Sequence, residues 1–494
     1  MKKKLLTTAV LAGIAGTAGA VNVNPDGLGQ VGLLPYYTVQ GGYDTYVSIV
    51  NTTNVVKAVK VRFLEGKNSR EVLDFNLYLS PYDVWTGAIT QASATGPGKL
   101  LTLDKSCTVP TIPAAGESFR NFGFTGTLFD GESTSLARTR EGHIEILEMG
   151  VVLDEASPST FTPATWATHT AGVPDNCPAL VNAWRPAGAW TAASGRSVIG
   201  NTGGLTVAAT LINVNEGIAN GNVGTMLENW RVGVDDIHTA PGSIFPNLGN
   251  AFPPVSDVFV AGTPGVITST WGGSPSAGLN AVSATLMHDN LINEYTVETG
   301  LAAGTDWVVT FPTKALYVDW TNLLAPFAPF DTIFGGGGTR PGENNGPGGT
   351  GPLRADPPVA GGACEIVNLT IYDREEGTPT GDVDFSPQPA GGVDSLCWET
   401  NVITFNDTDV LNSQGLRLNI PTQTFSNGWL NLAFGETTQT MLSADGDRFN
   451  GLPAIGFAVQ NFVNGTLSGG TVLSNYGVLF DHRATRSVVG GQIL

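Results

Sequence analysis

Charge is what this chain has little of. Only 14% of its 494 residues are Asp, Glu, Lys or Arg, well short of the quarter or so that is usual. Lys, Glu and Arg are also strong helix formers. Their scarcity beside abundant Gly, Thr and Asn favours β-strands joined by turns over helices. Positive charge is scarcest: 24 Lys and Arg stand against 43 Asp and Glu, a formal net charge of −19. Such a chain repels nucleic acid and anionic membrane surfaces, which sets DNA and RNA aside as partners. The five histidines show no HxxxH or HExxH spacing, so a zinc-hydrolase motif is absent. There is no GxSxG nucleophile elbow. After the first twenty residues no run is apolar enough to span a bilayer as a helix.

The N-terminus MKKKLLTTAVLAGIAGTAGA has the form of a secretory signal peptide. Lys2, Lys3 and Lys4 form its charged region, Leu5 to Gly16 its apolar region, and Ala18-Gly19-Ala20 its small-residue cleavage site. Residues 1–20 are expected to be removed, exposing Val21 and taking the net charge to about −22. Export makes disulfides the expected state of the four cysteines, Cys107, Cys177, Cys364 and Cys397. Three pairings are open, and the sequential one, Cys107 with Cys177 and Cys364 with Cys397, is favoured. A zinc site is disfavoured because no CxxC spacing occurs.

Strand signals dominate the mature chain. In KAVKVRF, Lys57, Val59, Val61 and Phe63 share one face; in VLDFNLYL, Leu73, Phe75, Leu77 and Leu79 do. Both are expected to be half-buried antiparallel strands. TDWVVTFPTKALYVDW is expected to be one long strand, with Pro312 marking an edge or a bulge. Residues 154–201 are expected to form a long loop tied back by a disulfide, and GTMLENWRVGVDDI to hold a short helix. No clear internal repeat is visible. The expected fold is mainly β: antiparallel β-sandwich units, Ig-like or related, with long loops and little helix. The expected organisation is an N-terminal β-sandwich region 21–333, a Gly/Pro-rich stretch 334–363, and a C-terminal β region 364–494 that can share a sheet with the first. The stretch FGGGGTRPGENNGPGGTGPLRADPPVAGGAC lacks the Lys of a phosphate-binding loop, and its prolines preclude the helix that motif needs. It is expected to be an exposed hairpin loop, with a domain linker as the alternative.

Candidate sites are few. SADGDRFNG places Asp445, Asp447 and Asn450 in one turn, an oxygen-rich candidate for a structural Ca²⁺ that lacks the rest of an EF-hand. DREEGTPTGDVD, with Asp382 and Asp384, and NDTD, with Asp407 and Asp409, are similar acidic turns. Trp184 and Trp190 in WRPAGAW are candidates for stacking on a sugar ring, against the commoner role of packing. No catalytic residues are assigned.

The segments VNVNPDGLGQ, LLPYYTVQGGYDTYVSIVNTT, RFLEGKNSREVLDFNLYLSPYDVW, TDWVVTFPTK and LTIYDREE resemble a family of exported Gram-negative bacterial proteins without characterised function. The resemblance implies an exported chain and carries over no site residues. The leading expectation is an exported structural or interaction protein at the cell surface, in the periplasm or in the medium, surface-layer or adhesin-like. Its partners would be further copies of itself or cell-envelope components. A secreted carbohydrate-binding or hydrolytic protein is the alternative, and an outer-membrane β-barrel is third. Against the barrel, the terminus SVVGGQIL lacks a closing aromatic strand.

Overall fold

The computed structural model describes residues 19–262, 265–272, 276–318, 328–330, 363–378, 384–386, 394–422, 424–435 and 438–490. The signal peptide apart from Gly19 and Ala20, the Gly/Pro-rich stretch apart from Ala363, and Asp382 lie outside the described residues. Within them the protein is mainly β, and no helix is long and apolar enough to cross a membrane.

Two sandwich modules account for most strands. In the first, β1 (Val31–Thr38), β2 (Tyr43–Asn51), β3 (Val56–Glu65), β4 (Glu71–Leu79), β5 (Val84–Gln91) and β6 (Gly98–Leu101) are followed by β7 (Cys107–Val109) and β8 (Glu141–Val152). β9 (Leu205–Asn213), β10 (Ile218–Val223) and β11 (Thr225–Glu228) complete it. One sheet runs β11-β1-β8-β3-β4-β7 and faces a second that runs β10-β9-β2-β5-β6. Val59, Val61, Phe63, Phe75, Leu77 and Leu79 point into the core between them with Val47, Ile49 and Trp85, as strict alternation requires. Val72 joins that core despite its opposite parity, because a bulge shifts the register between Phe63 and Leu64.

These strands are not half-buried. Lys57, Lys60, Asn76 and Tyr78 are buried too. Residues 154–201, expected as plain loop, contain the short helices Pro163–Ala167, Cys177–Ala183 and Ala189–Ala192, and their side chains pack on Val56, Ala58 and Tyr78. The Cys107–Cys177 disulfide ties this cover to β7, and Cys364–Cys397 closes the other bridge, which is the sequential pairing.

The second module comprises β12 (Asn290–Thr296), β13 (Ala303–Thr310), β14 (Asn368–Asp373), β15 (Thr400–Phe405), β16 (Arg417–Ile420), β17 (Asn427–Ala433), β18 (Ile455–Leu467), β19 (Val472–Asp481) and β20 (Arg483–Thr485). Its sheets run β20-β12-β17-β14 and β19-β18-β13-β15-β16. β13 lies at the centre of its sheet, not at an edge, and stops at Thr310. Pro312 has no N–H to continue the ladder, and Lys314–Val318 turns into a short helix instead. The helix expected in GTMLENWRVGVDDI is absent, since its first residues form β11. β12 and β13 precede the Gly/Pro-rich stretch yet pair with strands that follow it. The second module therefore begins by residue 290 rather than at 364.

Along the chain the two modules follow one plan. β1, β2, β3, β5, β8, β9, β10 and β11 correspond in order and in neighbours to β12, β13, β14, β15, β17, β18, β19 and β20. The strand beyond β5 and β15 differs: β6 is antiparallel to β5, whereas β16 is parallel to β15. Details repeat as well. Tyr37 lies opposite Gly142 and Gly142 opposite Glu65; Tyr295 lies opposite Gly428 and Gly428 opposite Asp373. A Cβ on either glycine would collide with a carbonyl oxygen, of Leu64 or of Tyr372. The Thr45 hydroxyl accepts from Thr38 N–H (2.9 Å) and donates to Thr38 C=O (2.8 Å). Thr305 does the same to Thr296 at the same distances. The Glu65 and Asp373 carboxylates each accept backbone N–H groups of the turn that follows.

The modules are joined by apolar packing. Tyr36, Tyr43 and Leu211 of the first meet Val308, Val402, Phe457 and Val459 of the second, with Leu411 and Leu416 beside them. Thr310 Oγ1 donates to Pro35 O (2.7 Å) and Asn461 Nδ2 to Tyr43 Oη (2.8 Å). Helix Ala277–Leu286, buried along most of its length, packs into a further core that holds Val31, Leu33, Leu147 and Leu227 of the first module and Ile455 of the second.

Candidate functional site

Ionisable side chains in the first module are held by one another. Lys57 Nζ meets Glu148 Oε1 at 2.6 Å with both side chains fully buried. Lys60 pairs with Asp74, and Arg62 with Glu71 and Glu145. Arg138 clamps Glu65 (2.7 Å) and Asp130 (2.5 Å). Burial pushes the Asp130 carboxyl up, but Arg138 outweighs it and holds the group down at about 2. Glu65 is likewise held below its ordinary value against the push of burial, by Arg138 and by backbone N–H groups. Such pairs fix geometry, and removing one partner strands a buried charge.

The residues singled out from the sequence have similar fates. Trp190 is buried, stacks on Tyr78 with ring centroids 5.3 Å apart, and donates to Arg196 O, so it offers no face to a sugar. Trp184 is half-buried and donates to Tyr78 Oη. The expected stacking platform is thus a packing cluster that anchors residues 154–201. Asp445 and Asp447 come together, but against the strand Val266–Thr270. Asp445 accepts from Thr270 N–H and Asp447 from the Ser269 hydroxyl. Asn450 instead donates to Ser487 on another strand. The triad expected to hold Ca²⁺ is therefore divided between two partners, and among the described residues no three His, Cys, Asp or Glu gather as a metal site. Asp407 and Asp409 are clamped by Arg417.

Two features were missed in the sequence. The first is a cleft of about 350 Å³ between the modules, floored by the Asn24-Pro25 turn and by Gly224 and Thr225, with His288, Asp481, His482 and Arg486 opposite. Arg486 donates to Thr285 O (2.8 Å) and has no carboxylate partner among the described residues; burial lowers its guanidinium to about 10. His482 is locked as one tautomer: Nε2–H donates to Val308 O (3.0 Å) while Nδ1 accepts from Asn293 (3.1 Å). Burial keeps it neutral down to about 4. Burial also keeps His288 neutral, aided by the Arg486 charge. The cleft thus sets the Arg486 guanidinium beside two imidazoles that burial holds neutral.

The second is β19, whose Tyr476, Val478 and Phe480 are 60%, 38% and 43% exposed. All three lie on one face of the strand, and Val472 and Leu473 at its start are exposed as well. Their period-2 pattern marks a strand, and alternation alone does not separate an exposed apolar face from a core one. Compared with protein-family models, with curated proteins and with solved structures, the chain matches none.

Proposed function

We propose that the chain is an exported interaction protein of a Gram-negative cell envelope, which works by presenting a rigid two-module β body rather than by catalysis. The observation that carries this is β19. A strand fixed by a long ladder to β18 displays Tyr476, Val478 and Phe480 to solvent, and contiguous exposed apolar side chains mark a contact surface. The two disulfides suit an oxidising compartment, and the signal-like N-terminus suits export. Fractionating the native host and shaving intact cells with protease tests this. The chain should be recovered without detergent from periplasm, surface or medium. Recovery only from cytosol, or only from detergent-solubilised outer membrane, overturns it.

A further inference from the structure

The repeated plan makes each surface of one module comparable with its counterpart in the other, and the module–module contact uses two different faces. The registers of β2 with β9 and of β13 with β18 place Leu211 opposite Thr45 and Gln460 opposite Thr305. Carried on to the next strand, they make Ile218, Asn220 and Asn222 the counterparts of Tyr476, Val478 and Phe480. In the first module this face is covered. Asn220 donates to Asn461 (3.2 Å), Asn222 donates to Asp481 (3.3 Å), and a Cβ on Gly477 would press on Ile218 and Asn220. In the second module the same face is exposed.

The seat on which the first module rests is the other face of β18 and β19: Val459, Asn461, Gly477 and Leu479, whose registers pair them two by two. Its counterpart in the first module is Thr210, Ile212, Ala219 and Gly221, again paired two by two, with Val223 beside them. Here Ala219, Gly221 and Val223 are exposed. A Cβ on Gly221 would meet nothing closer than the Thr210 hydroxyl at 3.8 Å. One molecule thus keeps an unused plug at one end and an unused seat at the other. The plug's three residues are large and apolar, the exposed strand of the seat carries the small Ala219 and Gly221 before Val223, and neither set carries a charge despite the net charge of −19. A contact between unlike faces does not close on itself and propagates from copy to copy.

We infer that the chain assembles head to tail with further copies of itself, the Tyr476, Val478 and Phe480 face of one copy seating on the β9–β10 face of the next. This rests on the reading of the chain as an interaction protein and names its partner. The test is sedimentation velocity of the purified, disulfide-bonded mature chain over about 1 to 100 μM, a range in which mass action reveals weak association. The expected result is a mass that rises with concentration past two chains. Y476K/F480K, which spoils the plug, and V223K, which spoils the seat, should each stay at one chain. Mixed together, the two variants should form a species of two chains and no larger, because one intact plug meets one intact seat. That mixture also shows that both variants are folded. A wild-type chain that stays single, assembly that survives both substitutions, or a mixture that stays single would each overturn the inference. A single chain recovered at the cell surface would overturn self-assembly and leave the interaction reading standing. Recovery in cytosol overturns that reading whatever the mass.

Discussion

Arg138 illustrates how single residues matter here. Its guanidinium bonds Glu65 and Asp130 together and so ties residues 130–138 to the turn after β3. Arg138→Met keeps the volume but strips buried Glu65 of its clamp and leaves Asp130 only the more distant Arg70 (3.8 Å). The expected cost is about 3–5 kcal/mol, read as a lower urea midpoint. His482 makes a prediction of different sign. Its folded pKa, about 4, lies below the ordinary 6.5 because burial penalises the imidazolium. Between those values the unfolded chain takes up a proton that the folded chain does not. This group's contribution is therefore present above pH 6.5 and lost as pH falls toward 4. His482→Gln removes the dependence. The stability gap between wild type and variant should narrow on acidification by up to about 3 kcal/mol, and an NMR titration should show the imidazole neutral at pH 5.

At the scale of elements, the strands were legible because alternation survives in them, and the exceptions have local causes. Val72 breaks parity at a bulge, and Pro312 ends β13 where the sequence pattern runs on. The burial of the outer face was not legible. Lys60 and Asn76 read as solvent-facing until the segments that cover them are known. The repeat was hidden for a related reason. Its shared features are isolated residues, such as Thr45 with Thr38 and Thr305 with Thr296, set in intervening segments of unequal length. If these are equivalent devices, Thr45→Val and Thr305→Val should cost similar amounts, about 1–3 kcal/mol each, since each leaves a buried N–H and C=O of the preceding strand unpaired. Chemical denaturation of the two variants checks this, and a cost at one site only would show that the resemblance is superficial.

For the whole molecule, the mainly β class and the scarcity of helix follow from composition, while the sequential disulfide pairing, favoured among three open ones, is fixed only by the fold. The cleft and the β19 face do not follow from composition either. Both arise from how one module sits on the other, with His288, His482 and Arg486 meeting the turn at Asn24 across hundreds of residues. The same packing moves the module boundary. Strands on both sides of the Gly/Pro-rich stretch share two sheets: β12 with β14 through β17, and β13 between β15 and β18. The most direct test is a nick at a protease site engineered between Gly348 and Gly349 of the folded chain. The two pieces should co-elute as one body under native conditions, with the unfolding midpoint close to that of the intact chain, and should part only in denaturant. Separation of residues 21–348 from 349–494 in native buffer would contradict the two-module architecture.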